Sequence, residues 1–129
     1  MPVVHAIYEA IHAGNVDGVL SHLAQDVSWR HNSNLDEVPW HQARSGHNGV
    51  RRFFEEHHAA TEHAKLIPHG FSEGPGIVAV RLRTEYVIKR NGARIDSEEV
   101  HWWQFDSSGK VKSLTIFEDS AAFAVAVEQ

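Results

Sequence analysis

The 129-residue chain contains no cysteine, which removes disulfides, thiolate metal sites and cysteine nucleophiles together. It also lacks an apolar run long enough to span a bilayer. Its start, Met-Pro-Val-Val-His, has no basic stretch leading into an apolar segment. No secretory signal is therefore expected, and a cytoplasmic location is the default. Positive charge is short as well: twelve Lys and Arg against 17 Asp and Glu leave a formal charge of −5. That balance argues against nucleic acid or an anionic membrane as the main partner. What the chain has in excess is histidine. Its eleven imidazoles would carry the formal charge from −5 to +6 if all were protonated. Such abundance is compatible with a metal site, a pH response, acid–base chemistry, or none of these.

A chain of this length supports one domain, residues 1–129, with a single core. Val4, Ile7, Tyr8 and Ile11 follow the spacing of one helix face, and Gly14 ends that helix. Asn15 is placed to cap a second helix through Val16, Val19, Leu20 and Leu23. Val27, Trp29 and His31 then alternate with Ser28 and Arg30, as in a strand with one buried face. A long loop carrying Pro39 and Trp40 leads to Gly46, where a third helix begins with the stripe Val50, Phe53, Phe54, His57, Thr61 and Ala64. From Leu66 the pattern turns to strands, broken by Gly74-Pro75-Gly76, by Asn91-Gly92 as a two-residue hairpin turn, and by Asp106 to Gly109. Asp119 or Ser120 is placed to cap a short Ala-rich helix. The layout is α+β, with helices on one face of a bent, largely antiparallel sheet.

Five segments carry a resemblance. They are Ala13-Gly14-Asn15-Val16-Asp17, Gln25-Asp26-Val27-Ser28-Trp29, Gly46 to Phe54, Asp106 to Val111, and Phe117-Glu118-Asp119-Ser120-Ala121-Ala122. In this order they resemble the SnoaL-like branch of the ketosteroid isomerase-like, nuclear transport factor 2-like superfamily. The resemblance implies a cone-shaped curved sheet wrapped around N-terminal helices, and often pairing through the outer sheet face. It fixes no reaction, since isomerases, cyclases, dehydratases, hydrolases and pure binding modules share the fold. By position, His31 stands where the isomerases place a general-base aspartate, and His101 where they place a protonated aspartic acid. The helix tyrosine that completes their oxyanion site falls near Ile7, with Tyr8 one residue off. The resemblance therefore does not extend to steroid isomerisation.

Alternation puts His31, His101 and Glu118 on one side of the sheet with Trp29, Trp103, Tyr86, Leu114 and Ile116. With Trp40, Tyr8 and Phe54 these are the candidate walls of a pocket for a small hydrophobic or carbonyl-bearing molecule. In that reading His31 takes a proton from carbon beside a carbonyl or from water. His101 donates to the oxygen where charge develops, and Glu118 orients an imidazole. The chemistry calls for no metal and no organic cofactor. The alternative is a non-catalytic ligand-binding or protein-interaction module, in which the same groups are polar residues satisfied inside a cavity. Glu55, Glu56, His57, His58, Glu62 and His63 are ligand-type residues without a His-Glu-x-x-His pattern, so no metal site is assigned. His57, on an apolar stripe, reads as structural. On the opposite sheet face, Arg81, Arg83, Glu85, Trp102 and Gln104 are candidates for a homodimer interface, because an outward tryptophan on a broad sheet calls for cover.

Overall fold

The structure, a computed structural model, describes residues 2–32, 39–119, 121 and 125–126. Helices α1 (Pro2–His12) and α2 (Val16–Leu20) precede strand β1 (Leu23–His31) and a 3-10 turn (Pro39–His41). Then come β2 (Arg44–Ser45), α3 (Gly46–Ala60), β3 (Thr61–Gly74), β4 (Ile77–Ile88), β5 (Arg94–Phe105) and β6 (Val111–Phe117). The expected helix after Asp119 or Ser120 lies largely outside the described residues. The strands form one curved, unclosed sheet in the order β2-β1-β6-β5-β4-β3, parallel only between β1 and β6. No helix among the described residues is long and apolar enough to cross a membrane.

The first helix forms as its spacing dictates, whereas the second stops at Leu20 and Leu23, expected on its stripe, opens β1 instead. Val4, Ile7 and Tyr8 are buried on one face of α1, and each such side chain contributes roughly 1.5–3 kcal/mol by leaving water. Gly14 takes φ +69° to turn the chain out of the helix, a conformation that glycine adopts without a Cβ penalty. Asn15 Oδ1 then accepts the Gly18 N–H at 3.0 Å, capping α2.

Three local expectations are corrected. The stripe extended to Ala64 suggested a longer α3, but the helix stops at Ala60, and β3 starts at Thr61 rather than near Leu66. Thr61 Oγ1 donates to the His57 carbonyl at 2.7 Å, and the chain beyond pairs with β4 from Thr61 opposite Ile88. Pairing with a long neighbouring strand outweighs helix propensity here. The β4–β5 turn is not the two-residue type. Val87 pairs with Arg94, and Ile88 N–H and Gly92 N–H close a wider loop onto Ala93 and Ile88 carbonyls, each at 2.8 Å. Asn91 holds that loop by accepting the Ala93 N–H at 3.0 Å and donating to the Ala126 carbonyl at 2.9 Å. Finally, plain alternation groups Val111 with Ser113, Thr115 and Phe117 on the outer face of the last strand, yet Val111 is fully buried. The register shift between Gln104 and Phe105 turns it inward.

The strand registers position the site. Leu114 pairs with both Trp29 and Trp103, and Ile116 pairs with both His31 and His101. Two rungs thus cross the sheet, one tryptophan–leucine–tryptophan and one histidine–isoleucine–histidine. Strand spacing sets the two histidine backbones roughly 10 Å apart on the same concave face.

Candidate functional site

The concave face encloses a cavity of about 1180 Å³. Its inner wall includes Trp29, His31, Trp103, His101, Glu99 and Glu118, while exposed residues such as Glu55, His58, Glu62 and Lys65 stand at its rim. The structure brings together His31, His101, Glu118, Trp29, Trp40, Trp103, Tyr86, Phe54, Leu114 and Ile116, all on the lining. Tyr8 is placed differently. It lies behind His101 and is not part of the wall.

That position gives Tyr8 a definite contact. Its hydroxyl is 2.6 Å from His101 Nδ1 and accepts the Trp103 indole N–H at 3.1 Å. An indole N–H can only donate. With one lone pair taken by Trp103, the Tyr8 oxygen keeps its own hydrogen and a second lone pair for His101 Nδ1: it donates there when the imidazole carries its hydrogen on Nε2 and accepts in the other tautomer. His101 Nε2 lies 3.5 Å from Glu99 Oε1, and both residues face the cavity. Burial, first of all, raises the Tyr8 pKa and keeps the phenol protonated.

A second polar group lies across the cavity. His31, at the end of β1, stacks on His41 with ring centroids 4.4 Å apart, and His41 Nε2 is 3.0 Å from Glu118 Oε1. The side chains of His41 and Glu118 are 0% and 1% exposed. Burial lowers His31 to about 2, with the neighbouring His41, His101 and His57 adding to the effect. Burial likewise lowers His41 to about 4, and it raises Glu118 to about 9, helped by Glu99. Both imidazoles are thus neutral at physiological pH, and the carboxyl holds its proton. Trp29 Nε1 and His31 Nδ1 are buried without a hydrogen-bond partner, so the cavity wall presents unused polar atoms.

Sequence reasoning missed His41 and Glu99. Glu99 had a signal, since it alternates with His101 on the inward face of β5. His41 had almost none, because it sits in an irregular turn where no period marks a buried face. His57 keeps a packing role against Tyr86 and Trp40, with centroids 4.9 Å and 5.4 Å away, but it also reaches the lining. Arg81, Arg83, Glu85, Trp102 and Gln104 lie on the opposite sheet face. There Arg83 binds Asp96 through two bonds of 2.8 and 2.6 Å, and Gln104 accepts from Ser113 at 2.8 Å.

A sequence profile of the SnoaL-like domain matches residues 4–114. The chain belongs to the SnoaL-like domain family. The SnoaL-like chain resembles an NTF2-like protein of unknown function from Burkholderia pseudomallei at 26% identity. That match covers 100% of this chain and 97% of the other, with a TM-score of 0.90. TerC, crystallised with polyporic acid, is 24% identical over 99% of this chain and 97% of its own, with a TM-score of 0.87. A Mycobacterium tuberculosis protein in complex with estradiol-17β-hemisuccinate is 18% identical over 88% of each chain, at 0.73. These likenesses place the SnoaL-like chain in the nuclear transport factor 2-like, ketosteroid isomerase-like fold. No functionally curated protein is significantly similar to it in sequence.

Proposed function

We propose that the protein binds a small, partly apolar, carbonyl-bearing molecule in its cone, with His101 as hydrogen-bond donor and His31 as acceptor. The observation that carries this reading is the chain Trp103 to Tyr8 to His101. When Tyr8 donates to Nδ1, Nε2–H is the donor of that imidazole, 3.5 Å from Glu99 Oε1 in a wall that combines aromatic and aliphatic side chains with a few polar groups, and a donor held in this way suits an oxygen where charge develops. His31 stands on the same rung, with Ile116 between. A planar molecule lying over Ile116 reaches both histidines, and the tryptophans of the lower rung supply flat apolar contact. A donor facing a neutral acceptor suits a molecule that offers both a carbonyl and a hydroxyl, whereas burial that lowers His31 to about 2 makes it a weak base, so isomerase, cyclase, dehydratase or hydrolase chemistry would need the ligand to raise it. The ligands of the TerC and mycobacterial structures are both ring systems, which supports the size class and nothing finer.

A purely structural role predicts a cone filled by Trp29, Trp40 and Trp103. A cavity that holds both histidines favours ligand handling instead. A thermal-shift screen of neutral two- to four-ring ketones and quinones, run with a chelator, tests the proposal. His101→Ala is expected to weaken the best ligand about tenfold, the cost of one buried hydrogen bond, and His31→Ala to weaken it as well. Unchanged shifts in both variants would overturn the reading.

The outer sheet face supports a second reading, pairing of two copies. Val100, Trp102 and Phe117 are 37%, 37% and 45% exposed, more large apolar surface than an isolated sheet face carries comfortably. Trp102→Glu is expected to convert a dimer into a monomer in sedimentation velocity; a wild-type monomer at high concentration would sink the idea.

A further inference from the structure

We propose that His31, His41 and Glu118 form a binding site for a divalent transition-metal cation of the zinc class at the inner end of the cavity. Each residue offers one ligand atom, and the three atoms lie within 4.8 Å of one another. Two imidazole nitrogens and one carboxylate oxygen are a donor set that zinc and its neighbours accept. Tetrahedral zinc with bonds of about 2.0–2.1 Å sets its ligands roughly 3.3 Å apart. The 3.0 Å between His41 Nε2 and Glu118 Oε1 already meets that spacing, and His31 needs a small inward movement.

The polar atoms of this cluster converge without bonding to one another in the ordinary way. Glu118 Oε1 approaches His41 at ion-pair distance, yet it is buried without a hydrogen bond of acceptable geometry, as is His31 Nδ1. Buried polar atoms left in this state cost free energy. A single proton placed between Glu118 and His41 can satisfy only those two groups. One cation reaches all three residues, because their ligand atoms lie within 4.8 Å of one another. The three come from rigid or anchored places: the end of β1, the 3-10 turn, and the residue following β6. Asn32 accepts the Glu118 N–H at 3.3 Å and donates to the Glu118 carbonyl at 3.1 Å, so the backbone at the carboxylate is tied to the strand that carries His31. His31 and Glu118 line the cavity whereas His41 stands behind them. The fourth coordination position therefore opens toward the cavity, the arrangement of a site that keeps a water or ligand oxygen.

This inference goes beyond the ligand reading and competes with one part of it. An imidazole nitrogen committed to a cation cannot also accept a proton, so a loaded site would withdraw His31 from acid–base work. The two claims are tested apart, since the ligand screen runs in chelator and the metal experiment runs without ligand.

Chelator-treated full-length protein is titrated with Zn²⁺ by calorimetry and with Co²⁺ by visible absorption. One equivalent is expected to bind at micromolar concentration or tighter, and the cobalt complex to show the intense bands of a four-coordinate ion. His41→Ala and Glu118→Gln should each weaken binding more than about 100-fold, since changing even a hydrogen-bond partner of a metal ligand costs about 10–100-fold. His58→Ala with His63→Ala, at the rim, should leave it unchanged. Crystals of zinc-loaded wild type supply a readout independent of whether the variants fold: the anomalous peak should lie within bonding distance of all three residues. No binding below about 1 mM, binding that survives both ligand substitutions, or a peak on other histidines would overturn the proposal.

Discussion

Lowering the pH of metal-free protein from 6.5 to 4 is expected to remove about 3 kcal/mol of stability at His57 alone. In the folded chain, burial first and the nearby His58 second lower the His57 pKa from its ordinary 6.5 to about 4. The unfolded chain takes up this proton near 6.5, and the folded chain refuses it until about 4. Over that interval the unfolded state binds more protons, so stability falls as pH falls and is fully present above 6.5. The drop of 2.5 pH units corresponds to roughly 3 kcal/mol, an order-of-magnitude figure. His31, lowered further, acts in the same direction. His41 and Glu118 nearly cancel. Between the ordinary values of 4.5 and 6.5, the folded pair keeps one proton on the carboxyl and the unfolded pair keeps one on the imidazole. Urea unfolding at pH 7, 5.5 and 4 reads the acid limb. His57→Phe fills the same aromatic nest of Trp40, Tyr86 and Phe53, and it should shrink the pH 7 to 4 difference by about 3 kcal/mol. An acid limb unchanged in that variant would show that His57 titrates normally in the fold.

The example of His57 marks where the sequence was and was not legible. Its place on the stripe Val50, Phe53, Phe54 showed that it was inward, because a 3.6-residue period reports a helix face directly. The same logic, with period two, put Trp29 and His31, His101 and Trp103, and Leu114 and Ile116 on one side of the sheet, and the strand registers bear this out. Periodicity says which face a residue occupies but not which strand stands beside it. The shared pairing of His31 and His101 with Ile116 depends on the parallel contact between β1 and β6, and nothing local encodes that contact. The turn at Asn91 shows another limit. A strong local signal for a tight hairpin gave way to side-chain bonds from Asn91 to distant backbone. His41 was illegible for a third reason. Its burial comes from stacking on His31 and from Glu118 arriving 77 positions later along the chain. Tyr8 was placed correctly on the buried face of α1, yet its role was not readable, because a helical stripe cannot say which polar atom its hydroxyl meets.

That role yields the second large effect. Tyr8→Phe is expected to destabilise the protein by about 2–4 kcal/mol, although it removes a single oxygen. The ring keeps its contacts with Trp103 and Phe71, with centroids at 5.9 and 6.2 Å, so little packing is lost. What disappears is the atom that accepts from Trp103 Nε1 and shares a hydrogen bond with His101 Nδ1. Both partners are buried, Trp103 at 0% and His101 at 4% exposure. Each is left without its bond, at about 1–3 kcal/mol for an unsatisfied buried group. For a chain of this size the loss corresponds to a fall in Tm of roughly 10 °C. A merely structural hydroxyl would stop there, but a positioning one also releases the imidazole. With no acceptor demand at Nδ1, His101 is free to carry its hydrogen on either nitrogen, and ¹⁵N chemical shifts should change from a single Nε2–H form in wild type to a mixture. Ligands that depend on the Nε2–H should then weaken in Tyr8→Phe in the same order as in His101→Ala, and by less. A variant that loses stability but keeps the Nε2–H form would assign Tyr8 to packing alone. If neither stability nor tautomer changes, Tyr8 does not hold His101 in place, and the donor proposed for the cavity loses its support.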